Sequence, residues 1–120
     1  MRLGITDQSD IESYSSVYQE VTIPENAVSV ALSFWYYPIS QDTVQYDWQE
    51  VIVYDQTLSH RLAWAMPRVC SNRQTWTHYT FNLMPYKGQT IVLYFNVYND
   101  GVVDLTTAMY LDDVSVQVCY

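Results

Sequence analysis

Through residues 28–37 the side-chain character changes at nearly every step. Val28, Val30, Leu32, Phe34 and Tyr36 alternate with Ser29, Ala31, Ser33, Trp35 and Tyr37. A period of two means a strand with one apolar face, because successive strand side chains point to opposite sides. The same period recurs along the chain. Residues 17–23 read as a preceding strand halted by Pro24, with Pro24-Glu25-Asn26 as the turn. Gln49, Val51 and Val53 alternate with Glu50, Ile52 and Tyr54; after a turn-like stretch at 55–59, Leu62 and Trp64 begin a return strand closed by Pro67. Tyr79, Phe81 and Leu83 form one more inner face, and Pro85-Tyr86-Lys87-Gly88 turns it into Ile91, Leu93, Phe95 and Val97. Asn99-Asp100-Gly101 opens a polar loop, and residues 110–118 make the last strand. No long segment carries a helical stripe. The pattern predicts an all-β chain, an antiparallel β-sandwich of about seven to nine strands.

The chain has 120 residues, enough for one domain with a real core, and neither linker nor repeat interrupts it. We therefore expect one β-sandwich domain over residues 1–120. Hydrophobic residues make up 49%, which excludes a disordered chain despite a net charge of −8. That charge argues against nucleic acid, whose phosphates need a basic surface. No run approaches the roughly 18 apolar residues of a membrane span. One lysine, Lys87, stands against twelve tyrosines and four tryptophans, a balance suited to a surface that binds by aromatic contact. Arg-Leu-Gly-Ile after Met1 shows no signal-peptide pattern. Composition favours a domain excised from a larger secreted protein over a cytosolic one, and hence an extracellular or cell-surface location. Cys70 and Cys119 form no CxxC motif; a disulfide and two unrelated buried thiols both remain open.

Three segments in order carry a family likeness: Val17-Tyr18-Gln19-Glu20-Val21-Thr22-Ile23-Pro24, Leu32-Ser33-Phe34-Trp35-Tyr36, and Tyr110-Leu111-Asp112-Asp113-Val114-Ser115-Val116. Between the last two lie Trp76, Phe81-Asn82-Leu83, Tyr86, Gly88-Gln89-Thr90 and Leu93-Tyr94-Phe95. The set resembles the jelly-roll carbohydrate-binding modules and galactose-binding-like domains of secreted bacterial proteins, and more remotely MAM adhesion domains. The resemblance implies a jelly roll over about residues 3–118. Such domains usually open with a further strand carrying a Phe-Glu pair and a Trp, which has no counterpart here. A missing strand would leave an open sheet edge, and exposed edges invite pairing, so a homodimer through that edge is one expectation.

The chemistry-bearing residues speak against an enzyme. His60 and His78 are the only histidines, no Gly-x-Ser-x-Gly elbow is present, and three glycines cannot cradle a phosphate. A solvated acidic surface explains most of the thirteen carboxylates. Asp112 is the exception: with Tyr110 and Val114 read as core, it is expected to point inward and to need a partner. Arg2, backbone N–H groups or Ca²⁺ would serve. The resemblance implies a structural Ca²⁺ on this last-strand aspartate, with Asp7 and Asp10 standing in for a glutamate of the missing opening segment.

Opposite the main core the alternation places Trp35, Tyr37, Tyr54, His78, Tyr94 and Tyr98, with Glu50 and Asn96 as polar companions. If their strands share one sheet, that face offers flat rings to stack on and polar groups to hydrogen-bond, as a sugar requires. The competing reading is a face covered by a second sheet or a loop. Trp64 and Trp76 are expected in the core, and Trp48 at a rim. The expected function is a noncatalytic module binding a polysaccharide, a plant or microbial β-glycan. A MAM-like protein-binding domain and a structural spacer are the rivals.

Overall fold

A computed structural model describes residues 1–6, 12–42, 46–101 and 105–120 of the chain. The alternating segments become strands: β1 (Arg2–Gly4), β2 (Glu12–Thr22), β3 (Ser29–Ser40), β4 (Trp48–Asp55), β5 (Arg61–Val69), β6 (Thr77–Asn82), β7 (Thr90–Asp100) and β8 (Thr107–Cys119). They pair into two four-stranded antiparallel sheets, ordered β1-β8-β3-β6 and β2-β7-β4-β5. We call these sheet A and sheet B. The sheets stack with β1 over β2, β8 over β7 and β6 over β5. The all-β sandwich expected from the alternation is present.

The core forms where the inner faces meet. Leu32 and Phe34 of β3, Val51 and Val53 of β4, Leu93 and Val97 of β7, and Met109 of β8 are all buried. Phe34 sets its edge against Phe95 at 5.5 Å and stacks on Tyr79 at 5.7 Å, tying β3 to the opposite sheet and to its neighbour β6. Aromatic contacts of this kind add about 0.5–1.5 kcal/mol beyond area burial. Gly4 lets β1 close on β8: its φ is +92°, and a Cβ there would collide with the Thr107 carbonyl oxygen.

Several boundaries differ from the sequence reading. β2 starts at Glu12 rather than near residue 17. β5 runs past Pro67 to Val69, which it can do because it is the edge of sheet B and one side of it needs no ladder. Pro38 sits inside β3 opposite Met109, beyond the reach of β6, which pairs only with residues 31–36. Both cysteines are free thiols, so the disulfide is not formed.

The largest correction concerns β8. Between Ser33↔Ser115 and Trp35↔Asp112, two residues of β8 oppose the single Phe34. This is a β-bulge, and Asp113 within it has φ +49°. An extra residue reverses the parity of the alternation. Leu111 and Val116 therefore face the core, while Asp112 faces solvent and is exposed. Its Oδ1 accepts from the Asp113 N–H at 2.9 Å. The inward Asp112 expected as a Ca²⁺ ligand is not inward. Asp7 and Asp10 lie outside the described residues.

Candidate functional site

The predicted face divides between the two sheets. Trp35 and Tyr37 on β3 and His78 on β6 belong to sheet A; Glu50 and Tyr54 on β4, with Tyr94, Asn96 and Tyr98 on β7, belong to sheet B. Both groups point away from the core, so they occupy opposite outer surfaces of the sandwich. A single site of all eight residues does not exist.

Sheet B carries the more developed arrangement. Three strand registers align its outward residues into rows across β2, β7 and β4. Tyr14 faces Tyr98, which faces Trp48; Ser16 faces Asn96, which faces Glu50; Tyr18 faces Tyr94. The first row is a run of rings, with centroids 4.7 Å apart for Tyr14–Tyr98 and 4.4 Å for the stacked Tyr98–Trp48 pair. The Arg68 guanidinium continues it, 4.1 Å above the Trp48 ring. In the third row Tyr18 stacks on Tyr94 at 6.1 Å, and Tyr54 meets Tyr94 edge-on at 5.5 Å. Trp64 of β5, opposite Ile52, carries the Arg61 guanidinium 3.8 Å above its ring. At about 3.3 Å per residue the two aromatic rows lie roughly 13 Å apart along the strands.

Between them runs a polar row centred on Glu50. Its Oε2 accepts from Trp48 Nε1 and from Asn96 Nδ2, each at 2.8 Å. Its Oε1 accepts from Trp64 Nε1 and Arg68 Nε, each at 3.2 Å. A carboxylate has about four acceptor sites, and four donors fill them. Glu50 is only 2% exposed although it points away from the core, because Trp48, Trp64 and Arg68 close over it. The chain of bonds continues outward: Ser16 Oγ donates to Asn96 Oδ1 at 2.7 Å, and the Tyr94 hydroxyl donates to Ser16 Oγ at 2.8 Å. Glu50 and Asn96, expected to touch a ligand, are thus the buried frame on which the rings are mounted. Tyr14 and Tyr18 are exposed, and Tyr94, Tyr98, Trp48 and Trp64 are half-buried, so these rings form the accessible surface. Burial pushes the Tyr98 phenol pKa up, and the nearby Glu12, Asp100 and Asp47 add to the rise. It remains a hydroxyl donor across the neutral range.

Sequence reasoning missed Tyr14, Ser16, Tyr18 and Arg68, and placed Trp64 in the core. The signal for β2 was present in Tyr14-x-Ser16-x-Tyr18. The inward partners Ser13 and Ser15 are themselves polar, which hides the contrast between faces.

Sheet A presents a smaller patch. Trp35, 39% exposed, lies 4.9 Å from His78. Tyr37, Trp76 and Tyr110 cluster beside it, with ring centroids 5.6 and 6.0 Å from Tyr37. Trp76 is 46% exposed and is not a core residue.

A third cluster lies where β4 begins and β7 ends. Asp42, Asp47 and Asp100 bring carboxylate oxygens within 4.8 Å of one another, a group able to hold a metal ion. Asp47 is fully buried, and its oxygens accept from the Asp100 N–H at 3.0 Å and the Thr107 hydroxyl at 2.7 Å. Burial raises its pKa against those two bonds, and the charges of Asp42 and Asp100 raise it further. Three carboxylates are the donor type that hard cations take.

No protein-family model and no curated protein sequence matches the chain. Solved structures do match. A CBM4 structure superposes with a TM-score of 0.53 at 11% identity, over 98% of this chain and 82% of that one. The enzymatically active domain of tailspike protein 4 from bacteriophage CBA120 reaches 0.53 at 13% identity, over 91% of this chain but 15% of that one. A family 16 carbohydrate binding module gives 0.48 at 13% identity, covering 90% and 72%. The likeness is one of fold. The chain is a jelly-roll β-sandwich of the kind seen in the CBM4 structure.

Proposed function

We propose that the chain is a noncatalytic carbohydrate-binding module whose site is the outer face of sheet B. The carrying observation is the pair of aromatic rows, Tyr14–Tyr98–Trp48 and Tyr18–Tyr94, flanking the hydrogen-bonded row Ser16–Asn96–Glu50–Arg68. Sugar rings offer flat C–H faces and hydroxyl edges. The rings supply stacking surfaces, and Ser16, the tyrosine hydroxyls and Arg68 supply polar contacts at the level of the rings. β-linked chains are extended ribbons that expose such faces in succession, so the ligand class is a β-glycan polysaccharide lying across the strands. The fold likeness to the CBM4 structure supports the same reading. Glu50 has both oxygens engaged by four donors, which suits a frame rather than an acid–base catalyst. The proposal places the module outside the cell, as one domain of a larger protein.

Affinity electrophoresis against soluble glucans, xylans and mannans tests this. Retardation by a β-glycan that is lost in Tyr14→Ala/Tyr18→Ala supports the site. Retardation unchanged in that double variant rejects it.

We also propose Ca²⁺ as a structural ion on Asp42, Asp47 and Asp100, in place of Asp112. The support is a buried carboxylate set against two others, whose mutual repulsion a divalent cation would offset. Its chemistry would be structural only, joining the start of β4 to the end of β7.

A further inference from the structure

Two of the chain's five basic residues stand on the outer face of sheet B, although the net charge is −8. Both belong to the edge strand β5. Arg61 is the register partner of Tyr54, and Arg68 lies over Trp48 of β4. Each closes a row of rings at the same edge. Arg68 ends the row Tyr14–Tyr98–Trp48, and Arg61 ends the row that runs from Tyr18 and Tyr94 past Ile52 to Trp64. The Trp64 ring is shared, with the two guanidinium carbons 3.8 and 5.9 Å from its centroid.

Stacking occupies the flat face of a guanidinium and leaves its in-plane N–H donors available. Among the described residues Arg61 forms no ion pair, and it is exposed. Arg68 gives its Nε–H to Glu50 and keeps its terminal N–H groups for another acceptor, on a side chain 47% exposed. Glu50 sets one negative charge against these two positive ones, so the β5 side of the face is net positive. The β2 side is the reverse. Glu12 and Glu20 share the outward parity of Tyr14, Ser16 and Tyr18, and both are exposed. A ligand lying across the strands meets carboxylates at one edge and guanidinium donors at the other.

Building on the glycan-binding reading of sheet B, we infer that the ligand is an acidic β-glycan, a largely neutral chain carrying a uronate carboxylate that docks over β5 on Arg61 and Arg68. Hydroxyl partners for neutral sugars are already supplied by Ser16 and the tyrosines. Two cations at the end of the ring rows add recognition for an anionic group. The guanidinium fork matches the two oxygens of a carboxylate, so a uronate is the anion it fits. Glu12 and Glu20 complete the selection. A uronate on every sugar would meet them at the β2 edge, whereas a sparse one is bound at β5 and repelled at β2. The same polarity orients the chain, with its acidic sugar at β5.

The probes are β-glucan and β-xylan oligosaccharides each carrying one glucuronate, beside the same oligosaccharides after carboxyl reduction. Calorimetric titration at low salt should show the acidic form of at least one backbone binding about tenfold tighter than its reduced form, the scale of one hydrogen bond to a charged group. That preference should shrink on going to about 0.15 M salt, because exposed charges are screened. Arg61→Gln should bring the ratio of the two affinities close to one, and Arg61→Lys should restore part of it. Equal affinity for acidic and reduced forms overturns the inference while leaving sheet B a site for neutral glycans. A preference that survives Arg61→Gln overturns it as well. So does poly-L-glutamate binding as tightly as the acidic oligosaccharide, which would mean an anion patch indifferent to sugar. Binding of neither form overturns this inference together with the glycan reading beneath it.

Discussion

Asn96 and Glu50 are direct register partners across β7 and β4, and Asn96 Nδ2 donates to Glu50 Oε2 at 2.8 Å. This bond joins two buried polar residues beneath a surface of rings, Ser16 and two arginines. Through Trp48, Trp64 and Arg68 on one side and Ser16 and Tyr94 on the other, it holds four strands in one hydrogen-bonded network. Trp48, Trp64 and Tyr94 are tied to it directly, through their indole N–H and hydroxyl groups.

Glu50→Gln tests that frame. The amide NH₂ can accept from no donor, so it sets itself against two of the four groups now bonded to the carboxylate. Leaving buried donors unpaired costs about 1–3 kcal/mol. Urea denaturation should show the loss, and the indole environments of Trp48 and Trp64 should change with it.

Exposed rings should separate binding from stability. Tyr18→Ala is expected to weaken glycan affinity by about 1–3 kcal/mol, taking the range for a base stacked on an aromatic ring, with the melting temperature little altered. Phe34→Ala should do the opposite, costing about 3–5 kcal/mol of stability. Calorimetry and thermal melts on the two variants check the pair.

Sheet A supplies a contrasting control. Trp76 is exposed, so Trp76→Ala should cost only about 0.5–1.5 kcal/mol, the worth of its ring contact with Tyr37. Glycan affinity should not change. A loss of 3 kcal/mol or more in the melt would return Trp76 to the core.

The proposed Ca²⁺ site predicts a pH dependence. Asp47 has a raised pKa, so the folded state binds more protons than the unfolded one above about pH 3.9. Its contribution to stability therefore falls as pH rises through the folded value. Ca²⁺ should offset that loss, so adding it raises the melting temperature near neutrality and has little effect at about pH 4, where protons compete. Asp47→Asn should raise the Ca²⁺-free melting temperature and abolish the response. An equal effect of a chelator on both proteins would reject the site.

The strands were legible because Val30, Leu32, Phe34 and Tyr36 alternate without a break, and the outward placement of Tyr94, Asn96 and Tyr98 followed from the same period. Which sheet each strand joins was not legible. Alternation assigns a side chain to a face of its own strand and is silent on the partner, so Trp35 and Tyr94 looked equivalent and lie on opposite surfaces. Asp112 failed for a different reason: one bulged residue at Asp113 reverses every side chain beyond it, and nothing in Asp112-Asp113-Val114 announces the extra residue. The inward Ser13 and Ser15 concealed the face of β2, and with it the outer rank of rings.

The four tryptophans allow the most direct test of where the glycan lies. Trp48 and Trp64 stand on sheet B with their indole N–H groups on Glu50; Trp35 and Trp76 stand on the opposite face. A ¹⁵N–¹H correlation spectrum of the protein resolves four indole resonances, which are followed during titration with a soluble β-glucan oligosaccharide. The account predicts saturable shifts of the Trp48 and Trp64 resonances, with Trp35 and Trp76 unmoved. Shifts confined to Trp35 and Trp76, or no shift at saturating oligosaccharides of every β-glycan class, would contradict it.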